Sequence, residues 1–424
     1  MKLLKINFLS IIFIFFMFSK NVFAEDKVYA TYTANNLTIT SYSQSFTKPM
    51  LKDLYMELLN NFHGDELDYL KNIYIYPDNR AGVNGLYFDD IYIQDGQYKL
   101  GDNAYINLYN AQRLNSVDKI AYTLAHEYGH HYMVYNLLKK EGIYYHNLKD
   151  SKYVKIRNFG TQPVVYDTNK EEYLYHWDVV EIMADDYVQL LGSYKSKMSI
   201  QYKSVDDLVK EGKPLYDSIY SFNLKPQLNP FLPLAADVDG LYNYLISLGG
   251  FTVAKPKTPL KPSLKDITGY VNDNNQITYT LNIDNPNKTL SYEYTVVSYP
   301  DNNPFVPYPI KTFSSKSDDK IVFGSYALKT DKGVKFLTQL YEGKHTFKIY
   351  MKDQSGFIYA SKPVTYDFDK INKEILSKDK AQKEALEKQK KAQIAKEQPS
   401  ASPKVKFIGP SASGSLSDLF YINS

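Results

Sequence analysis

The sequence predicts an α+β domain, followed by an all-β sandwich and a charged C-terminal arm. Three observations carry this. Strand-like alternation precedes two helix-like runs between Glu25 and Phe251. A proline-bearing linker follows, Thr258-Pro-Leu-Lys-Pro262, with Pro256 just upstream. Beyond it, short alternating runs are separated by Asn, Asp, Pro and Gly clusters as far as Phe368. A chain of 424 residues has room for two or three such units.

Residues 1–24 read as a secretory signal peptide. Lys2 and Lys5 form a basic start, Phe8 to Phe18 is a short apolar run, and Val22-Phe23-Ala24 is a small-x-small cleavage site. The run is short for a membrane span, and no second apolar segment long enough to cross a bilayer follows. The mature chain is expected outside the membrane, secreted or attached to a cell surface. It has no cysteine, so disulfides contribute nothing to its stability, a usage that fits secretion by a bacterium. The net charge of +3, less Lys2, Lys5 and Lys20, leaves a mature chain with no net charge. That balance gives no electrostatic case for nucleic acid as a partner. The 41 tyrosines suit the half-buried surface of a β-rich secreted protein.

Residues 25–257 form the first expected domain. Pro49 to Phe62 reads as a helix, with Leu51, Leu54, Tyr55, Leu58 and Leu59 along one stripe. Asn72–Tyr76, Gly85–Ile93 and Asn103–Tyr109 read as extended. Glu25 to Tyr76 is a candidate for a removable inhibitory segment, although no cysteine switch marks it. A long helix then starts after Ser116, a natural N-cap, and stops at Gly142. A second helix runs from Asp178 to Leu191 and ends at Gly192.

The first of these two helices carries His126-Glu127-Tyr128-Gly129-His130. Residues four apart on a helix lie on one face, so two imidazoles reach the same metal ion, and Glu127 stands beside a metal-bound water. This H-E-x-x-H spacing is the zinc-peptidase motif, with the Glu as general base. The bland alternative is a helix with two surface histidines. Apolar residues at helical spacing on both sides of the motif, Ile120 and Leu124 before it and Val134 and Leu138 after it, speak against that. A third ligand is needed. Cysteine is absent, and Asn136 stands where a histidine six residues after His130 would be required. The second helix offers Glu181 and Asp185, four apart on one face. A carboxylate there completes a two-His, one-Glu site. Asp185 is placed to accept the ring N–H of a ligand histidine. The bland alternative is two exposed acids. His131 points about 100° away from His130. It reads as packing or surface, as do the isolated His63 and His146.

His126-Glu127-x-x-His130 followed by Glu181-x-x-x-Asp185, with a spacing of 51 residues from His130 to Glu181, resembles the gluzincin class of zinc metallopeptidases. Their ligand arrangement is thermolysin-like. The match covers the two helices, Val117 to Leu191. It implies a zincin-like fold, one Zn2+ per chain, and hydrolysis of peptide bonds in proteins or peptides, with Glu127 as base and proton shuttle. A donor for the oxyanion is needed besides the metal. The candidates are Tyr173, Tyr175, His176, Tyr187 and Arg157, and the sequence does not choose among them. Class analogy also offers Asn103–Tyr109 as the strand that pairs with an extended substrate.

Residues 258–368 have the strand spacing of an immunoglobulin or fibronectin type III sandwich, a binding or spacer module that could meet a cell surface or cell wall. Residues 369–398 form a charged helix or arm. From Lys370 to Gln398, nine Lys stand against five acids, with only sparse apolar positions. Residues 399–424 read as a flexible Ser- and Pro-rich tail. Two rival functions share these features. One is a non-catalytic adhesin-like protein with a vestigial zinc site. The other is a zinc amidase acting on cell-wall peptides.

Overall fold

The computed structural model describes residues 27–79, 82–166, 174–198, 227–316, 319–330, 333–338 and 340–397. The expected signal segment 1–24 and tail 399–424 therefore lie outside the described residues. Helices and several sheets mix in the α+β manner, with a helix at the C-terminal end. No described helix is long and apolar enough to cross a membrane.

The chain opens with a hairpin, β1 (Ala30–Ala34) and β2 (Leu37–Ser41), turning at Asn35 with φ 51°. Asn tolerates this left-handed backbone better than most residues. Helix α1 (Lys48–Leu59) crosses to β3 (Leu70–Ile75), which lies parallel to β2. Strand β4 (Gly85–Phe88) and a small hairpin, β5 (Ile91–Gln94) with β6 (Gln97–Leu100), follow. Strand β7 (Ala104–Leu108) then inserts between β3 and β4, giving the order β1-β2-β3-β7-β4. The alternation that predicted these strands is real: Leu37, Ile39, Ile73, Ile75, Ile106 and Leu108 are buried. The segment from Glu25 to Tyr76 thus supplies three strands of the domain's main sheet, two of them internal. It is built into that sheet and does not pack on it as a separate layer.

Helix α2 (Val117–Glu141) begins where the Ser116 side chain accepts from the Lys119 N–H at 3.3 Å, and ends at Gly142 with φ 66°. It is buried on all sides over most of its length, because the sheet, the next long helix and the short helix Leu241–Leu248 surround it. After α3 (Lys152–Arg157) comes α4 (Val179–Leu191), capped by the Asp178 side chain on the Val180 N–H at 2.8 Å. Helix α5 (Leu241–Leu248) closes the layer, with the Tyr132 hydroxyl donating to the Leu245 carbonyl at 2.6 Å. Neither α3 nor α5 stands out in the sequence, since each spans only two turns or so.

Helices α2 and α4 meet at Gly129. A Cβ there would stand 3.0 Å from the Ala184 carbonyl oxygen and 3.1 Å from the Tyr187 ring. Only hydrogen fits at this crossing without displacement. The tyrosines depart from the expected surface role, for ten of the twelve largest fully buried side chains are tyrosines. Burial is tolerable where each hydroxyl finds an acceptor, as Tyr187 does at the Phe62 carbonyl (2.5 Å) and Tyr153 at Asp186 (2.7 Å).

The C-terminal part is antiparallel throughout. Strands β8 (Ser263–Val271) and β9 (Ile277–Asp284) precede β10 (Glu293–Pro300) and β11 (Tyr308–Ser314). Then come β12 (Lys320–Phe323), β13 (Ser325–Thr330), β14 (Gly333–Thr338), β15 (Lys344–Lys352), β16 (Ile358–Ala360) and β17 (Val364–Asp367). One sheet runs β11-β10-β15-β16, with β17 also on β15, and a second runs β12-β9-β8. Phe323 of one meets Phe347 of the other, ring centroids 6.0 Å apart, so the two share a core. The expected charged arm is a single helix, α6 (Phe368–Glu397). Phe368 and Ile375 anchor its start, and Leu386 and Ile394 are exposed beyond it.

The crossing at Gly129 makes one prediction. Gly129→Val overpacks it and should cost about 1–3 kcal/mol. A thermal melt should show this as a drop of several degrees, and an unchanged midpoint would mean the helices can separate freely.

Candidate metal centre

Helix α2 presents His126 and His130 one turn apart, and α4 brings Glu181 across to them. Glu181 Oε2 lies 3.0 Å from His126 Nε2 and 3.8 Å from His130 Nε2. The imidazole rings are 4.9 Å apart and nearly perpendicular, at 87°. One donor atom from each of the three residues falls within 4.8 Å of the others. Two imidazole nitrogens and one carboxylate oxygen are a donor set suited to a divalent transition metal, and no further His, Asp or Glu joins the group among the described residues. Such a set leaves room for a water or substrate atom.

The electrostatics fit the same use. Burial would raise the Glu181 carboxyl, but the facing histidines and the Tyr175 hydroxyl outweigh it and hold the group down to about 2. Burial works to lower His126, and its bond to Glu181 reverses that, so the imidazole is raised. His130 is pushed down to about 4 by burial against the pull of Glu181, and so stays neutral with a lone pair free at neutral pH. Glu181 therefore pairs most closely with His126, at 3.0 Å.

Glu127, next to His126 on α2, lies between the centre and strand β4, close enough to feel the charges of His126 and Glu181. Burial raises its carboxyl to about 7, with the positive charge of His126 pulling the other way. It accepts a hydrogen bond from the Tyr87 backbone N–H in β4. A Cβ on Gly85 would stand 2.5 Å from Glu127 Oε1 and 2.7 Å from Thr123 Cγ2, so the bare backbone of β4 makes room for this carboxylate. Strand β4 ends the sheet order, and its register with β7 leaves Gly85 and Tyr87 addressing its free edge. The free edge facing the site is thus β4. The expectation that Asn103–Tyr109 would pair with substrate is corrected: β7 is flanked by β3 and β4, and its backbone groups are used by both.

Of the donors proposed from sequence that lie among the described residues, Tyr175 alone reaches the centre, with its hydroxyl donating to Glu181. Tyr173 lies outside the described residues. Arg157 does not reach the site; its guanidinium is consumed by a buried ion pair with Asp186 (2.9 Å) and a bond to the Pro233 carbonyl (2.7 Å). Tyr187 is packed beneath α2 against Tyr128 and Tyr132. His176 turns to the β-rich part and stacks on Phe305 at 4.3 Å. Asp185 is also corrected. It accepts from Tyr122 Oη (3.3 Å), Gln189 Nε2 (2.8 Å) and the Leu228 N–H (3.0 Å), and bonds to neither histidine. His126 Nδ1 is buried without a hydrogen-bond partner. Asp185 therefore tethers α4 to Tyr122 and to the 227–229 segment. Sequence reasoning missed Tyr122, whose ring lies 5.8 Å from that of His126; its place four residues before His126 is the signal that could have found it. His63 and His146 stand apart, His146 stacking on Tyr98.

His131 is buried, and its partners fix its tautomer. The Glu66 carbonyl can only accept, so Nε2 carries the proton and donates to it (2.7 Å), while Nδ1 accepts from the Tyr87 hydroxyl (3.2 Å). This residue ties α2 to β4, the strand that holds Glu127.

No known family profile matches the chain, and no curated protein matches it. Among solved structures, wild-type OgpA from Akkermansia muciniphila aligns at 12% identity with a TM-score of 0.20. The alignment covers 70% of this chain and 64% of that one, so this chain spans less than two thirds of its length.

Two predictions follow from the geometry. The purified chain should retain one zinc ion by elemental analysis after dialysis, and Glu181→Gln should lose most of it; equal metal content in the two proteins would remove Glu181 from the ligand set. The second concerns His131, which burial pushes down to about 4 from 6.5 in an unfolded chain. Between those values the unfolded chain takes up a proton that the native state refuses, so stability falls as pH drops from about 6.5 to about 4, on the order of 1 kcal/mol per pH unit. Urea melts across this window should show a shallower slope for His131→Gln. An unaltered slope would place the titration elsewhere.

Proposed function

We propose that this chain is a secreted zinc-dependent endopeptidase of the gluzincin type, with His126, His130 and Glu181 holding the metal and Glu127 as general base. The observation that carries the reading is the convergence of Glu181, from a separate helix 51 residues downstream, on the two motif histidines. A helix with two incidental histidines gives no reason for that meeting.

When bound, zinc supplies Lewis acidity, acidifying water and polarising a carbonyl. The protein's own groups do the rest. Glu127, with a carboxyl at about 7, is poised both to accept a proton at its free oxygen and to return it to the leaving amine. The Tyr175 hydroxyl is the donor offered to the developing oxyanion, exchanging its bond to Glu181 for one to that oxygen. The outward backbone groups of β4 that remain beside the Tyr87 N–H held by Glu127 align an extended peptide by hydrogen bonds. In this reading the C-terminal sheets form an immunoglobulin- or fibronectin-like sandwich. It acts with the Lys-rich helix to place the enzyme near a cell surface or cell wall.

The decisive variant is Glu127→Gln. Metal content should be unchanged while cleavage of casein or a peptide library falls by about 10³-fold or more. Tyr175→Phe should lower kcat by about 10²-fold with a small effect on KM. Full activity in Glu127→Gln would overturn the mechanism. Digestion of purified peptidoglycan with no cleavage of protein substrates would transfer the site to cell-wall peptides.

A further inference from the structure

A second site is built where the two parts of the chain meet. A cavity of about 450 Å³ lies between the 227–237 segment and the outer face of the sheet formed by β10, β15 and β16. None of its lining residues belongs to the metal centre. The register Val297↔Lys348 and Tyr299↔Thr346 puts these residues on neighbouring strands at this face. Val297, Tyr299, Tyr350, Ile358, Ala360 and Leu234 form a small apolar cluster of their own. A β-branched residue on β15 would extend that cluster. Instead the position is Lys348, only 5% exposed.

The ammonium of Lys348 is held by neutral acceptors alone. It donates to the Pro230 carbonyl, and Gln227 Oε1 is 3.5 Å away. Among the described residues no carboxylate pairs with it. Asp237, whose charge it feels, is taken by Lys261 at 2.5 Å. Asp301 also lines the cavity, but is exposed at its rim. Burial accordingly pushes the Lys348 ammonium down to about 8, so it remains mostly protonated at neutral pH. A buried cation without a counter-charge is unfavourable, and an anion in the adjoining space would offset part of that cost. The rest of the lining is largely apolar and stiff, with Pro230, Phe231 and Pro363 among the walls. The size is that of a small-molecule site.

We propose that this cavity binds a monocarboxylate with an apolar body, its carboxylate paired with Lys348 and its body lying against Phe231, Leu234 and Tyr299. That chemistry is shared by free aliphatic or aromatic acids and by the C-terminus of a peptide ending in an apolar residue. The site does not depend on the metal centre, and its test does not read hydrolysis.

The test is calorimetric titration of the full chain with octanoate, 3-phenylpropionate and N-acetyl-Leu-Phe, each beside its primary amide. One equivalent should bind, with at least one acid tighter than its amide by about tenfold or more. The tightest arm identifies the source as a free acid or a peptide terminus. Lys348→Met keeps the stem volume and removes the charge. It should lose the preference for acid over amide and melt at the same or a higher temperature. Equal affinity for acids and amides, or no saturation at about 5 mM acid, would overturn the proposal on the unaltered chain alone. Undiminished acid binding by Lys348→Met would overturn it as well, leaving Lys348 a cross-link between β15 and the 227–230 segment.

Discussion

The close approach of α2 and α4 is the constraint on which the centre depends. With no side chain at Gly129, the backbone of Ala184 comes within van der Waals reach of α2. Glu181, nearly one turn earlier on α4, is thereby brought across to His126 and His130. The acids of α4 then divide their tasks. Glu181 faces the histidines, while Asp185 and Asp186 are taken up by Tyr122, Gln189, Tyr153 and Arg157. The last two bonds fix the helix from behind. A site carried on two buried helices and held in this way is rigid before any ligand arrives.

What the sequence revealed here was local. The motif spacing, the Ser116 and Asp178 caps, the stop at Gly142 and the alternation in β2, β3 and β7 all follow from the period of one element. Glu181 was legible because helix periodicity and the ligand count left little else. What it did not reveal was which partner a polar side chain finds in three dimensions. Arg157, His176 and Tyr187 looked alike as donors near the second helix. They separate only when Asp186, Phe305 and the Phe62 carbonyl come into place around them. Asp185 failed for the same reason: its face was known, but not that Tyr122 and Leu228 would occupy that face. Strand order is equally non-local. Nothing in Gly85–Phe88 announces an edge, because β7 arrives from later in the chain and takes the inner place.

The junction between the helical and β-rich parts carries, besides its apolar contacts, three cations in unusual settings. Lys348 reaches a backbone carbonyl, Lys197 lies over the Phe357 ring at 4.6 Å, and Lys352 over the Tyr194 ring at 5.5 Å. Trp177, Phe231 and Phe305 add an aromatic patch beside the short turn that carries Tyr175. Cation–π and lysine–carbonyl contacts are directional, whereas apolar packing is not, so they fix the orientation of the parts as well as their association.

Helix α6 gives the molecule a measurable reach. Its last buried side chain is Ile375, its Lys383 still reaches Asn275 Oδ1 at 3.5 Å, and the helix continues to Glu397. At 1.5 Å per residue, the turns beyond Lys383 extend roughly 21 Å. Like charges along it resist collapse onto the globule, and pairs such as Lys383 with Asp379 (2.8 Å) stiffen it locally. The helix is therefore an outrigger whose far end, at Glu397, stands off from the sheets that anchor its start.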